Sequence, residues 1–322
     1  MKISRISLVL QILWSLVTGL FFAPSAHAWG CKGHQTVALV AEKHLSPAAK
    51  AMVQDLLTKF PIPTPSKLGC AEGMGAMADA SAWPDVVRRE RNNGPWHYVD
   101  IPRGAADHAA GVVSAICTPA EGCVVRAIQE QFAVLKNKNA DLQLRVEALR
   151  YLIHFVGDIH QPLHAITNSD RGGNCVPLQY FNHKPHKQGE GYSPELHGIW
   201  DREIVEREMS GREPAEFATD LDNSFSAQFD IWTEGGIQPE EWAWESFDHA
   251  EEVAYGQLPR RIRVEPNVPV ASCTDDRNIG KRMKDKQLVI GNAYQDAAAP
   301  LVDQRLAQAG FRLAFLINEA AK

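Results

Sequence analysis

The sequence predicts an all-α protein, a single-domain helical bundle with long loops. Three observations lead there. Apolar residues recur at three- and four-residue spacing along most of the chain, no stretch of any length alternates apolar with polar residues, and Pro- and Gly-rich segments separate the periodic runs. Residues 29–322 are ample for one hydrophobic core and too few to demand a second. No internal repeat divides them.

Residues 1–28, "MKISRISLVLQILWSLVTGLFFAPSAHA", run in the order charged, apolar, small. Lys2 and Arg5 precede the apolar run, and Ala26 and Ala28 close it, the pattern of a secretory signal peptide cut after Ala28. An uncleaved anchor is the competing reading, since Ile6 to Phe22 is almost long enough to span a bilayer. Pro24 and the A-H-A site favour cleavage. Nothing later approaches a membrane span, so no membrane association is expected once the segment is removed, and residues 29–322 would start on Trp29.

"SPAAKAMVQDLLTKF" begins a helix with Ser46 as N-cap and Pro47 at the first helical position. "DLQLRVEALRYLIHFVGD" carries Leu142, Val146, Leu149, Leu152, Ile153 and Val156 on one stripe and reads as an amphipathic helix packed inside. "SPELHGIWDREIVERE" reads as a helix opening at Ser193-Pro194. "QPEEWAWESFDHAEEVAYGQL" and the closing "DQRLAQAGFRLAFLINEAA" are helical too. The loops between them are "FPIPTPSK", "NNGPWHYVDIPRG", "DRGGNCVPLQYFNHKPHKQGEGY" and "RIRVEPNVPVASC". Loops this long are uncommon in compact domains, and disulfides or metals are expected to hold them.

Six cysteines in an exported chain read as three disulfides, although six admit about fifteen pairings. Cys117 and Cys123 enclose a short loop and are the first expected pair; Cys31–Cys70 and Cys175–Cys273 would use up the rest. A zinc-thiolate cluster is the alternative, with no C-x-x-C spacing behind it. No N-x-S/T sequon occurs, which favours a bacterial exported protein, periplasmic or secreted. Without Lys2 and Arg5, residues 29–322 carry a net charge of −8. A broad basic face for nucleic acid is therefore not expected. Phosphate chemistry on such a chain needs concentrated local positive charge, and metal ions are the obvious source.

Several of the twelve histidines fall into a pattern with aspartates. In "HFVGDIHQPLH", His154 and Asp158 are four residues apart on a helix and share a face. "ELHGIWD" repeats the spacing with His197 and Asp201. With His164, the two pairs offer five ligands to one cleft, and imidazole and carboxylate without thiolate suit zinc in a hydrolytic site. A lone H-x-x-x-D is more often a surface pair. His44, His108, His183, His186 and His249 have no partner at ligand spacing and read as surface or loop residues; His160 is ambiguous.

Taken in order, "WGCKGH", "SAWPDVVR", "WHYVD", "HFVGDIHQPLH", "GGN" and "ELHGIWD" resemble the zinc-dependent single-strand-specific nucleases of the S1/P1 type, and "RLAQAGFRLAFLIN" is similar to that family's last helix. The resemblance covers essentially all of residues 29–322. It implies three zinc ions: one held by Trp29, through its free amine and carbonyl oxygen, with His34 and Asp158; one by Asp85, His97 and His154, with Asp158 bridging; one by His164, His197 and Asp201. An α-amino group has a pKa near 8, so a metal can displace its proton. The resemblance also implies hydrolysis of single-stranded DNA and RNA by a metal-activated water to 5′-phosphorylated nucleotides, and it leaves a 3′-nucleotidase activity open. Arg88 would steady charge on the phosphate, with Asp158 the second catalytic residue. Tyr98 would stack a base, Asp100 would accept from base N–H groups, and Asn174 would contact substrate. A monomer is expected. Plain structural roles compete with these: core packing for Tyr98, a tight turn for Asn174 and a solvated surface position for Arg88.

Two departures stand out. Glu195 occupies a position where the family commonly has Asn, and "HKPHKQGEGY" is an unusual loop. The related bacterial zinc phospholipase C group is one alternative, but it typically ends its ligand set with Glu rather than Asp201. A non-catalytic zinc-binding exported protein is the other, and the complete ligand set and Arg88 argue against it.

Overall fold

The computed structural model describes residues 29–63, 65–106, 108–189, 191–268, 270, 272–273 and 287–322. The expected signal peptide, residues 1–28, lies outside them. Among the described residues seven helices have eleven residues or more: α1 (Cys31–Lys43), α2 (Pro47–Lys59), α3 (Val124–Lys136), α4 (Leu142–Ile159), α5 (Pro214–Phe225), α6 (Pro239–His249) and α7 (Asn292–Ala321).

Helix α2 starts as its sequence dictates: Ser46 Oγ accepts from Ala49 N at 3.2 Å, with Pro47 in the first turn. Asp141 does the same for α4, its carboxylate accepting from Gln143 N and Leu144 N. From Ala148 onward every residue of α4 is buried, and α3 packs along it more extensively than any other pair of elements. Helix α7 crosses α1, α2, α3, α4 and α5. The core lies between these helices, so the ligand-bearing end of α4 is held by apolar packing on all sides. Each fully buried Leu, Ile or Phe there contributes about 1.5–3 kcal/mol, which keeps the polar groups on the same helix in place.

The three disulfides are Cys31–Cys70, Cys117–Cys123 and Cys175–Cys273. They pin the start of α1 and the long loops, as their lengths require.

Three differences from the sequence-based expectations follow. Among the described residues four short strands occur. Gln179–Tyr180 (β1) pairs in parallel with Val289–Ile290 (β4), and His186–Gln188 (β2) pairs antiparallel with Gly191–Ser193 (β3). Runs of two or three residues are too short to show alternation. Second, Ser193-Pro194 does not open a helix. Ser193 closes β3, and the helical turn begins at Leu196, capped by the Glu195 carboxylate accepting from Gly198 N at 3.1 Å. Third, two histidines expected at the surface are not there. His44 Nε2 meets Asp222 Oδ1 at 2.6 Å, with its ring against Phe229 and Phe311, and His249 is half-buried. His183, His186 and His108 are exposed as expected.

Candidate metal centre

His154 and Asp158, one turn apart on α4, are fully buried and meet at 3.2 Å between Nε2 and Oδ2. His154 Nδ1 donates to the Ser81 carbonyl at 2.7 Å, so Nε2 is the ring atom left to face a cation once its proton is displaced. Three other elements converge on that atom. Helix α1 lays His34 flat on His154, ring centroids 3.9 Å apart, and brings His34 Nε2 to 3.3 Å from Asp158 Oδ1. The short helix Trp83–Val87 places Asp85 Oδ1 3.8 Å from both His154 Nε2 and His97 Nδ1. The turn Gly94–His97 ends on His97, whose Nδ1 lies 3.1 Å from His154 Nε2 and 3.0 Å from Asp158 Oδ2. This crowding needs Gly157, where a Cβ would stand 2.8 Å from His34 Nδ1. Trp29 packs against the same glycine and is fully buried.

A second group lies beside the first. His164, on the turn Pro162–His164, has its Nδ1 donating to the His97 carbonyl at 2.7 Å. His197 Nδ1 donates to the Gly172 carbonyl at 2.6 Å. Both rings therefore carry their lone pairs on Nε2, and these two atoms face each other at 3.1 Å. Asp201, in the wider π-helical turn Ile199–Glu203, sets Oδ2 3.4 Å from His197 Nε2, while its Oδ1 accepts from Gln161 at 2.6 Å. Gly172 has φ +60°, and a Cβ there would overlap the Leu163 carbonyl oxygen. Only glycine lets the turn deliver its carbonyl to His197.

The donor atoms gather into three groups: His34, Asp85 and His154; His97, His154 and Asp158; and His164, His197 and Asp201. Converging lone pairs are what a cation binds, and the carbonyls behind the rings fix their tautomers as second-layer partners of metal ligands do. Both ring nitrogens of His34, His97 Nε2 and Asp158 Oδ1 are buried without a hydrogen bond of their own. The residues present thus fit metal ions of the imidazole–carboxylate class.

The electrostatics agree. Burial, then the charge on His154, holds His34 down at about 4, and burial, then His164, holds His197 at about 3. Burial works against charge on His154, but Asp158 and then Asp85 outweigh it and raise it to about 9. Burial also opposes the Asp158 carboxylate, yet the His154 charge first, and then the close imidazoles of His154, His34 and His97, keep it well below the usual range. Asp201 is pushed well above its ordinary value, by burial first, which the hydrogen bond from Gln161 opposes and the nearby Glu195 reinforces. A cation binding here displaces a proton from His154 and, at Asp201, competes with the proton that burial favours.

The groups open into a cleft of about 1190 Å³. Asp85, His97, His164, His197 and Asp201 line it; His34, His154 and Asp158 lie behind. Arg88, Tyr98, Asp100 and Asn174 line the same cleft. Tyr98 is 38 % exposed there, whereas Asp100 is pushed up to about 7 by burial, with Asp170 adding to it and Arg171 opposing. Asn174 Nδ2 donates to the Arg171 carbonyl at 2.6 Å, a contact that belongs to the tight turn itself. Sequence reasoning missed Gln161, Ser81, Asp170 and Arg171. Asp170 organises the glycine turn, accepting from Asn168 N, Gly173 N and Tyr255 Oη. Its place just ahead of "RGGN" was the available signal. Ser81 acts through its carbonyl, so its side chain gave no signal. His160, ambiguous in the sequence, is structural: its Nε2 takes a contact from Arg312 at 3.0 Å in a buried network with Arg305 and Glu245.

A family described as S1/P1 Nuclease matches residues 29–322. Among curated proteins, the chain is 26% identical to Endonuclease 4 of Arabidopsis thaliana over 95% of this chain and 92% of that one. It is 24% identical to Nuclease S1 of Aspergillus oryzae, covering 92% of each. It is also 24% identical to Nuclease P1 of Penicillium citrinum, covering 90% of this chain and 97% of the other.

Proposed function

The chain belongs to the S1/P1 nuclease family of phosphodiester hydrolases, and from that premise we propose that it is an exported zinc-dependent nuclease cutting single-stranded DNA and RNA to 5′-phosphorylated nucleotides. The observation that carries the proposal is the convergence of eight imidazole and carboxylate side chains on one cleft. Trp29, His34 and Asp158 would hold one zinc ion, Asp85, His97 and His154 a second with Asp158 bridging, and His164, His197 and Asp201 a third. Zinc bound there supplies Lewis-acid polarisation of a phosphoryl oxygen and acidifies a water to near neutrality.

The protein's own groups do the rest. Arg88 offers a guanidinium to the phosphate in a chain that is otherwise acidic. The exposed Tyr98 face accepts a stacked base, which a duplex does not present, and this favours single strands. Asp100 and Asn174 complete the base site from the same wall. Three disulfides suit an oxidising compartment, and among the described residues no helix is long and apolar enough to cross a membrane. Cleavage after Ala28 would free the Trp29 amine.

The test uses zinc-loaded protein beginning at Trp29, a single-stranded oligonucleotide, and a parallel phosphatidylcholine assay. Nucleotides with 5′-phosphate ends are expected. An intact oligonucleotide with released phosphocholine would overturn the proposal.

A further inference from the structure

The strap from Arg260 to Val268 runs over the surface into the wall of the cleft. Arg260, Arg261 and Arg263 are exposed along it. Arg261 and Arg263, with Arg103, Ile262 and Val264, line a separate hollow of about 280 Å³. Arg103 is spread over the Tyr255 ring, 4.6 Å from its centroid, and donates to the Ile262 carbonyl at 3.0 Å, which fixes the floor of this hollow. Two guanidiniums already face carboxylates: Arg103 meets Glu251 at 2.9 Å, and Arg263 meets Glu265 at 2.9 Å. Among the described residues no carboxylate lies within 4.0 Å of Arg260 or Arg261. In a domain of net charge −8, their charge is a local exception.

The strap is fastened to the active cleft. Asn168 Nδ2 donates to the Arg263 carbonyl at 3.0 Å, and Glu265 N donates back to Asn168 Oδ1 at 2.8 Å. Val268 N donates to Ser169 Oγ at 2.8 Å, and that hydroxyl donates to the Pro266 carbonyl. Ser169, Asn267 and Val268 line the main cleft. Asn168 is four residues from Gly172, the residue that orients His197, and four residues span at most about 14 Å. Arg261 is two residues before Arg263, whose carbonyl Asn168 holds, so the chain path from the arginines to the cleft wall is only a few residues long.

We infer that the Arg260–Arg263 strap is a phosphate-binding exosite, which holds the backbone of a longer single strand outside the cleft through Arg260 and Arg261. The inference rests on the nuclease reading above. Guanidinium forks match phosphate oxygens, and the strap carries no aromatic side chain for a base to stack on. It therefore adds affinity without adding sequence preference, as backbone contacts do.

The experiment compares the zinc-loaded full domain with its R260A/R261A variant on a thymidine dinucleotide and on a thymidine 20-mer. Both substituted side chains are exposed and outside the cleft. The variant is expected to keep its dinucleotide kcat/KM within about twofold and to raise KM for the 20-mer about tenfold. Its salt dependence on the 20-mer should be shallower by about 1.4 in log–log slope, at about 0.7 per phosphate contact on a single strand. An equal change on both substrates, or no change on either, overturns the exosite. Anisotropy of a labelled phosphorothioate 20-mer reads the same surface without turnover: weaker binding by the variant supports the exosite, and equal binding contradicts it. If the unmodified protein cuts neither substrate, the nuclease reading fails while the binding measurement still decides the strap. Binding of an acidic peptide or anionic vesicles that depends on both arginines, with unaltered 20-mer binding, would assign the patch to another partner and overturn the proposal.

Discussion

His164 and His197 point Nε2 at Nε2 across 3.1 Å, while each commits its Nδ1 hydrogen to a main-chain carbonyl. Two lone pairs at that distance repel unless something positive lies between them. Burial, then the charge of His164, holds His197 at about 3, so a proton is a poor candidate at neutral pH. A metal ion with Asp201 as third ligand satisfies all three groups.

Asp201→Asn removes the anionic ligand of this group and leaves the neighbouring five-residue cluster untouched. The variant should bind one zinc ion fewer than the parent and lose about 100-fold or more in kcat, since one metal ion supplies several kcal/mol to such a reaction. Elemental analysis of the purified protein with parallel rate measurements checks this. An unchanged ion count would remove Asp201 from the ligand set.

Metal-stripped protein should become less stable as pH rises from 6.5 to 8. Burial, with Asp170 adding, pushes Asp100 up to about 7, and burial, with Glu203 adding, does the same for Glu195. A carboxyl raised in the folded state stabilises it below its unfolded pKa, and that stability is lost as pH rises through the folded value. The lowered histidines, His34 at about 4 and His197 at about 3, act in the opposite sense only below about 6.5. Thermal melts in EDTA across this window are the measurement, and a Tm that climbs with pH would contradict the assignment. Zinc binding at neutral pH should also release a proton from His154, which Asp158 and then Asp85 raise to about 9 against burial.

Gly172→Ala should damage the His164 group selectively. The residue sits at φ +60°, and a Cβ would overlap the Leu163 carbonyl and stand 3.3 Å from His197 Nδ1. Moving the carbonyl that orients His197 should weaken zinc at that group about 10- to 100-fold, the usual effect of losing such a partner. Competition with a chelator reads it. Undiminished affinity would show that the carbonyl does not matter.

The Cys31–Cys70 bridge closes a 39-residue separation and anchors the start of α1, two residues beyond Trp29 and three before His34. Replacing both cysteines by alanine should cost about 4 kcal/mol. Denaturant unfolding of the zinc-loaded protein measures it, and a loss under about 1 kcal/mol would mean that metal binding already orders this segment.

The most legible parts of the site are those with helical spacing. His154 and Asp158 can be paired from the sequence because α4 is regular and amphipathic, and residues four apart on a helix share a face. His197 and Asp201 keep the same spacing, but their turn is π-helical and starts later than the sequence suggests. The cause is Pro194: Ser-Pro reads as a helix opening, while Ser193 belongs to a hairpin strand and Glu195 provides the cap. Helix α1 is hard to see in the sequence, since "CKGHQTVALVAEK" mixes small and polar residues that are nonetheless buried against α7 and α5. The carbonyls of Ser81, His97 and Gly172 that fix three imidazoles are illegible because any residue can supply a carbonyl. Their role exists only after the loops have folded.

The count of zinc ions held by the protein beginning at Trp29, read by native mass spectrometry, tests the central claim most directly. Three ions per chain are predicted, falling to two in Asp201→Asn. A parent protein that binds one ion or none would contradict it.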